Sequence, residues 1–287
     1  MSNELTTQMR ELAKKLLEEE KVQMVIGWEK GSLPYHSTPV FVTNPEDAQK
    51  LIWDEYCANN LASYLLDYRN SGMKIALFVK GCDSRAIVRL LQDQQINREN
   101  VYVIGINCPG IKDNFNPEKE IAERCRDCTH PEPVLYDEII GEKPDRASDK
   151  ERFEGIEEIE NMTPDEKYQF WQKEYDKCIR CFACRNVCPG CSCRECIFDQ
   201  GQKWLERRVV SSENAFYHLT RALHLAGRCI ECGECERVCP MNIPIMKLNK
   251  KIAKDIDSLF GPYEAAVNLE EMPPLGKYKE EDPEEFM

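Results

Sequence analysis

With 287 residues the chain is long enough for one large domain or two modest ones, and its 16 cysteines exceed what an ordinary intracellular enzyme carries. A formal charge of −13 argues against nucleic acid or an anionic lipid surface as a partner, and no apolar run approaches the length of a membrane span. The opening stretch MSNELTTQMRELAKKLLEEEKVQ reads as a charged amphipathic helix and not as an export signal, so an extracellular disulfide framework is excluded and a cytoplasmic location is expected.

After that helix, short Val- and Ile-rich runs at 22–28, 39–43, 74–79 and 101–106 have the length of buried strands. Helical stretches alternate with them. One runs from 44 to 70 behind an Asn-Pro start signal, and one from 83 to 96 opens with Asp83 at a capping position. The alternation predicts an α/β domain over residues 1–140 with a mainly parallel sheet. Cys82 and Cys108 each follow a strand, which places both at the carboxyl edge of the sheet, where open α/β sheets take their ligands. Cys125 and Cys128, a CxxC pair, come shortly after. The four thiols together are candidate ligands of a [4Fe-4S] cluster beside a helix N-terminus. The plainer alternative is that Cys82 and Cys108 are small buried hydrophobes.

Residues 141–177 are densely charged and read as a linker ending in a helix, with Thr163, Pro164 and Glu166 as a capping box. An all-helical two-cluster ferredoxin domain is expected over 178–258. Cys178, Cys181, Cys184 and Cys188 follow the spacing C-x2-C-x2-C-x3-C-P, and Cys229, Cys232, Cys235 and Cys239 repeat it. In this pattern three thiols of a run hold one [4Fe-4S] cube and the fourth holds the other. The expected sets are therefore Cys178, Cys181, Cys184 with Cys239, and Cys229, Cys232, Cys235 with Cys188. Zinc is the competing reading, but it needs only four ligands per ion and seldom shows this order twice with a trailing proline. The segment SSENAFYHLTRALHLAGR between the runs reads as a capped helix closed by Gly227, with His218 and His224 as packing or surface residues. Residues 259–287 form an acidic, proline-containing tail, either an arm ordered against a partner or a solvated end. Cys57, Cys191, Cys193 and Cys196 remain, the number one further cube needs. A fourth cluster on them would pin the two domains together; in the alternative Cys57 is a core residue and the other three are spare or bind zinc.

The stretches KGCDSRAI, GINCPG, CRDC, CIRCFACRNVCPGCSCREC and HLTRALHLAGRCIECGECERVCP resemble the β subunits of hydrogenases and formate dehydrogenases that use the deazaflavin coenzyme F420. The second half is also similar to the iron–sulfur subunit of heterodisulfide reductase. The resemblance covers residues 20–255. It implies iron–sulfur clusters, usually FAD, and catalytic or flavin-containing partner subunits in an anaerobic redox complex. The chain is short for this family, a charged linker stands where a longer flavin-site segment usually follows the CxxC, and no Gly-rich dinucleotide fingerprint is present. The resemblance therefore implies an electron relay more strongly than flavin chemistry. Two alternatives stand beside the relay: an FAD-containing subunit that reacts with a deazaflavin or nicotinamide itself, and a zinc-stabilised scaffold without redox activity.

Overall fold

The alternating apolar runs of the first half become strands in a computed structural model, which describes residues 2–112, 121–126, 128–143, 151–201, 204–205 and 209–280. The chain divides into two units, one of Met1–Glu151 with Val267–Leu269 and one of Arg152–Ala266 with Glu270–Met287.

The first unit is an α/β sheet of five strands: β1 (Met24–Lys30), β2 (Ser37–Val42), β3 (Ile75–Val79), β4 (Val101–Ile106) and β5 (Glu138–Ile140), in the order β2-β1-β3-β4-β5. The pairs β1–β3, β3–β4 and β4–β5 are parallel, while β2 folds back antiparallel on β1, with Trp28 opposite Pro39. All five residues of β3 are buried, as a strand covered on both faces requires. The short, largely exposed β5 has no apolar pattern that would have announced it.

Two helices frame the sheet, α1 (Ser2–Glu18) and α2 (Gly81–Gln92). The helix expected over 44–70 is not continuous. Residues Pro45–Lys50 and Leu61–Tyr64 are 3-10 turns, Leu65–Tyr68 is a single α-turn, and 51–60 is irregular. Tertiary partners take the backbone groups that a helix would have used. Ile52 N donates to Trp28 O at 2.8 Å, and Trp53 N donates to Thr6 Oγ1 at 3.0 Å. The Asn60 side chain then accepts from Ala62 N at 3.1 Å and starts the next turn.

The second unit is built of helices and loops, with no strand among its described residues. Its long helices are α3 (Pro164–Asp176), α4 (Ser211–His224) and α5 (Ile245–Phe260). The α3 start is the expected capping box: Glu166 N donates to Thr163 Oγ1 at 3.3 Å and Thr163 N to Glu166 Oε2 at 2.8 Å. The beginning of the acidic tail is not an arm. Tyr263, Ala265 and Ala266 are buried, Tyr263 and Ala265 in a cluster with Ala226 and Ile256, and Arg152 Nη1 donates to Tyr263 O at 2.7 Å. Residues 144–150 of the expected linker and 281–287 of the tail lie outside the described residues.

Candidate metal centres

β3 ends at Val79 and α2 begins at Gly81, so Cys82 stands on the first turn of the helix at the carboxyl edge of the sheet. Cys108 leaves the same edge just after β4. The following loop folds back over them: Cys108 N donates to Pro131 O at 3.0 Å and Val134 N to Ser84 Oγ at 2.9 Å. The approach is so close that a Cβ on residue 81 would stand 1.9 Å from His130 O, which only glycine avoids. This return brings in the CxxC pair. The Cys82 thiol interacts electrostatically with those of Cys108 and Cys128, and the Cys108 thiol with those of Cys125 and Cys128. Burial, more than any charge, raises both, Cys108 to about 12. The bare thiols are therefore neutral, and binding iron would displace their protons.

A buried cation adjoins these thiols. Lys80 Nζ lies 2.8 Å from Asp83 Oδ2, donates to Asn59 O at 3.0 Å and sits 4.1 Å from the centre of the Trp28 ring. Burial opposes its charge, but the adjacent Asp83 carboxylate outweighs that and raises its pKa. Asp83 is held by two backbone donors as well, Lys80 N at 2.9 Å and Leu61 N at 3.2 Å. The irregular stretch that replaced a helix thus lines the site, with Asn60 Nδ2 also donating to Cys82 O at 3.3 Å. Asp83 was legible in the sequence as a cap; Lys80, Trp28, Asn59 and Asn60 were missed because only the folded sheet brings them to this edge.

In the second unit the two cysteine runs fold alike. Arg180 and Phe182 in the first loop are left-handed (φ 48° and 58°), as are Glu231 and Gly233 at the equivalent places in the second (φ 58° and 70°). For residues other than glycine such backbone costs about 1–3 kcal/mol and persists where the surroundings dictate it. It turns amide hydrogens toward sulfur: Arg180 N donates to Cys178 Sγ at 3.4 Å, and the Glu231 and Glu234 amides bond Cys229 and Cys232. A single helical turn then follows in each, Ala183–Asn186 carrying Cys184 and Glu234–Arg237 carrying Cys235.

Cys178, Cys181, Cys184 and Cys239 line one cavity, whose other walls are mainly apolar, including Phe182, Met241, Ile243 and Ile245. The fourth cysteine of the second run thus stands with the first three of the first. Reciprocally, the Cys188 thiol acts on those of Cys229, Cys232 and Cys235. Burial is the leading cause raising these last three, Cys229 to about 12. The third cysteine of each run also meets a polar side chain from a long helix: Tyr217 OH lies 3.3 Å from Cys184 Sγ, and Asn249 Nδ2 donates to Cys235 Sγ at 3.8 Å. Among the described residues no group of three or more His, Cys, Asp or Glu is set to hold a single metal ion. The first group meets around a space and not at a point.

The remaining thiols are placed as follows. Cys57 is buried in the first unit, where its sulfur accepts from Asp54 N at 3.4 Å and lies 3.9 Å from Ile52 O. Cys191 shares a hydrogen bond with Cys188 that raises Cys191 and lowers Cys188. Cys196 adjoins Arg185, and Cys193 is exposed. His218 stacks on Tyr175 with ring centres 5.2 Å apart, and burial, helped by Arg221, lowers its pKa to about 4, so it packs as a neutral ring. His224 is exposed.

Residues 174–243 match a family described as the 4Fe-4S dicluster domain. The F420-dependent formate dehydrogenase subunit beta of Methanocaldococcus jannaschii is 25% identical over 357 residues, covering 92% of each chain. The F420-dependent formate dehydrogenase 1 subunit beta of Methanococcus maripaludis is 27% identical over 358 residues, again 92% of each. This chain is similar throughout to formate dehydrogenase β subunits. The resemblance read from the cysteine motifs is therefore present along nearly the whole chain. The alignment with the Methanocaldococcus subunit spans 357 residues against the 287 available here, so at least 70 of its positions (357 less 287) have no counterpart in this chain. A shorter stretch of 82 residues is 35% identical to one component of the ion-translocating oxidoreductase complex of Buchnera aphidicola, covering 28% of this chain and 15% of that one. Among solved structures, the F420-reducing [NiFe] hydrogenase complex from Methanosarcina barkeri matches with a TM-score of 0.31 and 22% identity, over 38% of this chain and 42% of that one. Among the described residues no helix is long and apolar enough to cross a membrane.

Proposed function

We propose that this chain is the iron–sulfur electron-transfer subunit of a cytoplasmic oxidoreductase complex of the formate dehydrogenase type, relaying electrons between a catalytic subunit and a second redox partner. The observation that carries the reading is the exchange of fourth cysteines: Cys239 lies with Cys178, Cys181 and Cys184, and Cys188 with Cys229, Cys232 and Cys235. These are the two ligand sets of a crossed pair of [4Fe-4S] clusters. Cys82, Cys108, Cys125 and Cys128 form the third set on this reading, in the α/β part of residues 1–140.

[4Fe-4S] clusters supply one-electron transfer when bound. The chain's own residues supply the environment. Amides of Arg180, Glu231 and Glu234 point hydrogen bonds at sulfur, Tyr217 and Asn249 do so from helices, and mainly apolar walls line the first group. A fourth cluster on Cys57, Cys191, Cys193 and Cys196 has less support, since the Cys57 sulfur is already engaged within its own turn.

Iron, sulfide, zinc and flavin counted on anaerobically purified full-length protein test the reading. Three clusters require about 12 irons and four require about 16. Stoichiometric zinc without iron would establish the scaffold alternative, and bound flavin would restore the flavoenzyme. Replacing Cys188 by Ser is expected to bleach the cluster of Cys229, Cys232 and Cys235; loss confined to the cluster of its own run would refute the crossing.

A further inference from the structure

Arg221, in the last turn of α4, is only 4% exposed. Four other arginines of this unit have carboxylate partners: Arg237 with Glu234 at 2.8 Å, Arg185 with Asp199 at 2.7 Å, Arg180 with Glu213 at 3.9 Å, and Arg152 with Glu231. Arg221 has no ion pair with a carboxylate among the described residues. Its Nη2 donates to Cys184 O at 3.0 Å, and its buried Nε has no hydrogen-bond partner among them.

The bond to Cys184 O sets this guanidinium against the first cysteine loop, and the groups that act on its charge are cysteines. It interacts electrostatically with the thiols of Cys188, Cys235, Cys191 and Cys184. A guanidinium does not give up its proton inside a protein, so burial cannot neutralise it as it would a lysine. A lone buried charge is strongly destabilising, and the counter-charge must come from the anionic groups around it. Here those are cysteines of both runs, Cys184 from one ligand set and Cys188 and Cys235 from the other.

We propose that Arg221 is the shared counter-ion of the two ferredoxin-type clusters, a positioning residue whose fixed positive charge holds both of their reduction potentials up. The inference rests on the crossed ligand sets proposed above. Reduction adds one negative charge to a cluster, and a cation fixed beside it in a dry interior favours that added charge. Because one guanidinium reaches cysteines of both sets, removing it should shift both clusters together and leave a cluster on Cys82, Cys108, Cys125 and Cys128 where it was.

The test is an EPR-monitored redox titration of anaerobically reconstituted full-length protein, wild type against Arg221→Met and Arg221→Lys, with iron counted on each. The expected result for Arg221→Met is full iron and a fall of at least tenfold in the reduction equilibrium of both clusters, which is about 59 mV for one electron. Arg221→Lys should recover most of the shift. Unchanged potentials, or a shift in only one cluster, would overturn the proposal. Should Arg221→Met lose iron, Arg221→Lys decides: full iron with near wild-type potentials upholds the need for charge, and the same loss assigns Arg221 a packing role and ends the idea. A wild-type sample without two ferredoxin-type signals would instead refute the ligand reading beneath it.

Discussion

At Gly81 a single hydrogen atom separates the α2 start from the loop that carries Cys125 and Cys128. A methyl group there would overlap His130 O, a backbone atom that cannot swing aside as a flexible side chain could. Gly81→Ala is expected to push that loop off the sheet edge and to lose the cluster proposed on Cys82, Cys108, Cys125 and Cys128, about four irons, while the two proposed ferredoxin-type clusters remain; iron analysis with EPR checks both halves of the statement. Next to it, Lys80 and Asp83 are a buried ion pair 2.8 Å apart. Lys80→Met would leave Asp83 facing the interior without its cation, and a loss of about 3–5 kcal/mol in denaturant unfolding is expected. Replacing both partners by apolar residues of similar size should cost less than the single change, because no uncompensated charge remains.

At the scale of elements, helices α3 and α4 are tied to the first cysteine loop by one side chain. Asn214, 1% exposed, donates through Nδ2 to Tyr175 O at 2.8 Å and to Cys178 O at 2.9 Å. Asn214→Ala removes both bonds; Tyr175 O keeps the Cys178 amide as a donor, while Cys178 O loses the Asn214 one. The expected loss is about 1–3 kcal/mol, read by thermal or denaturant unfolding of the iron-loaded protein. The capping box at Thr163 is exposed and local, so Thr163→Ala should cost only about 1 kcal/mol and leave every cluster signal unchanged. The contrast separates a residue that anchors a metal loop from one that merely starts a helix. The same scale explains the broken 44–70 segment. Its composition suits a helix, but β1 and α1 offer its backbone better partners through Trp28 O and Thr6 Oγ1.

At the scale of the whole molecule, the internal repeat is the organising feature. Two equivalent loops with left-handed residues at the same places, each followed by one helical turn, present three thiols apiece, and Cys239 of the second run lines the cavity of the first three thiols of the first. Cys239→Ser should therefore bleach the cluster of Cys178, Cys181 and Cys184, the mirror image of the Cys188 result. EPR of the two variants side by side measures this, and a loss in each variant's own run would contradict the exchange. The α/β unit follows a different logic, in which strand ends and a returning loop assemble thiols far apart in sequence.

By itself the sequence determined what is local or periodic. Strand lengths in β1, β3 and β4, the Thr163 box, and the doubled C-x2-C-x2-C-x3-C-P spacing are all set within a few residues, where short-range geometry dominates. The same short-range geometry underlies the expectation that each run lends its fourth cysteine to the other, since three thiols on one tight loop leave the fourth pointing elsewhere. Tertiary structure alone decided which side chains surround those thiols. Lys80, Tyr217 and Arg221 sit on elements the sequence predicted, or beside them, and Asn249 on a helix it did not announce, but the face a helix turns inward depends on what packs against it. Tertiary contacts likewise decided the unannounced β5, the irregular 51–60 stretch and the burial of Tyr263, Ala265 and Ala266 in a segment whose composition suggested a free arm. In each case the backbone or side chain took a partner distant in sequence, and no local pattern encodes a partner of that kind.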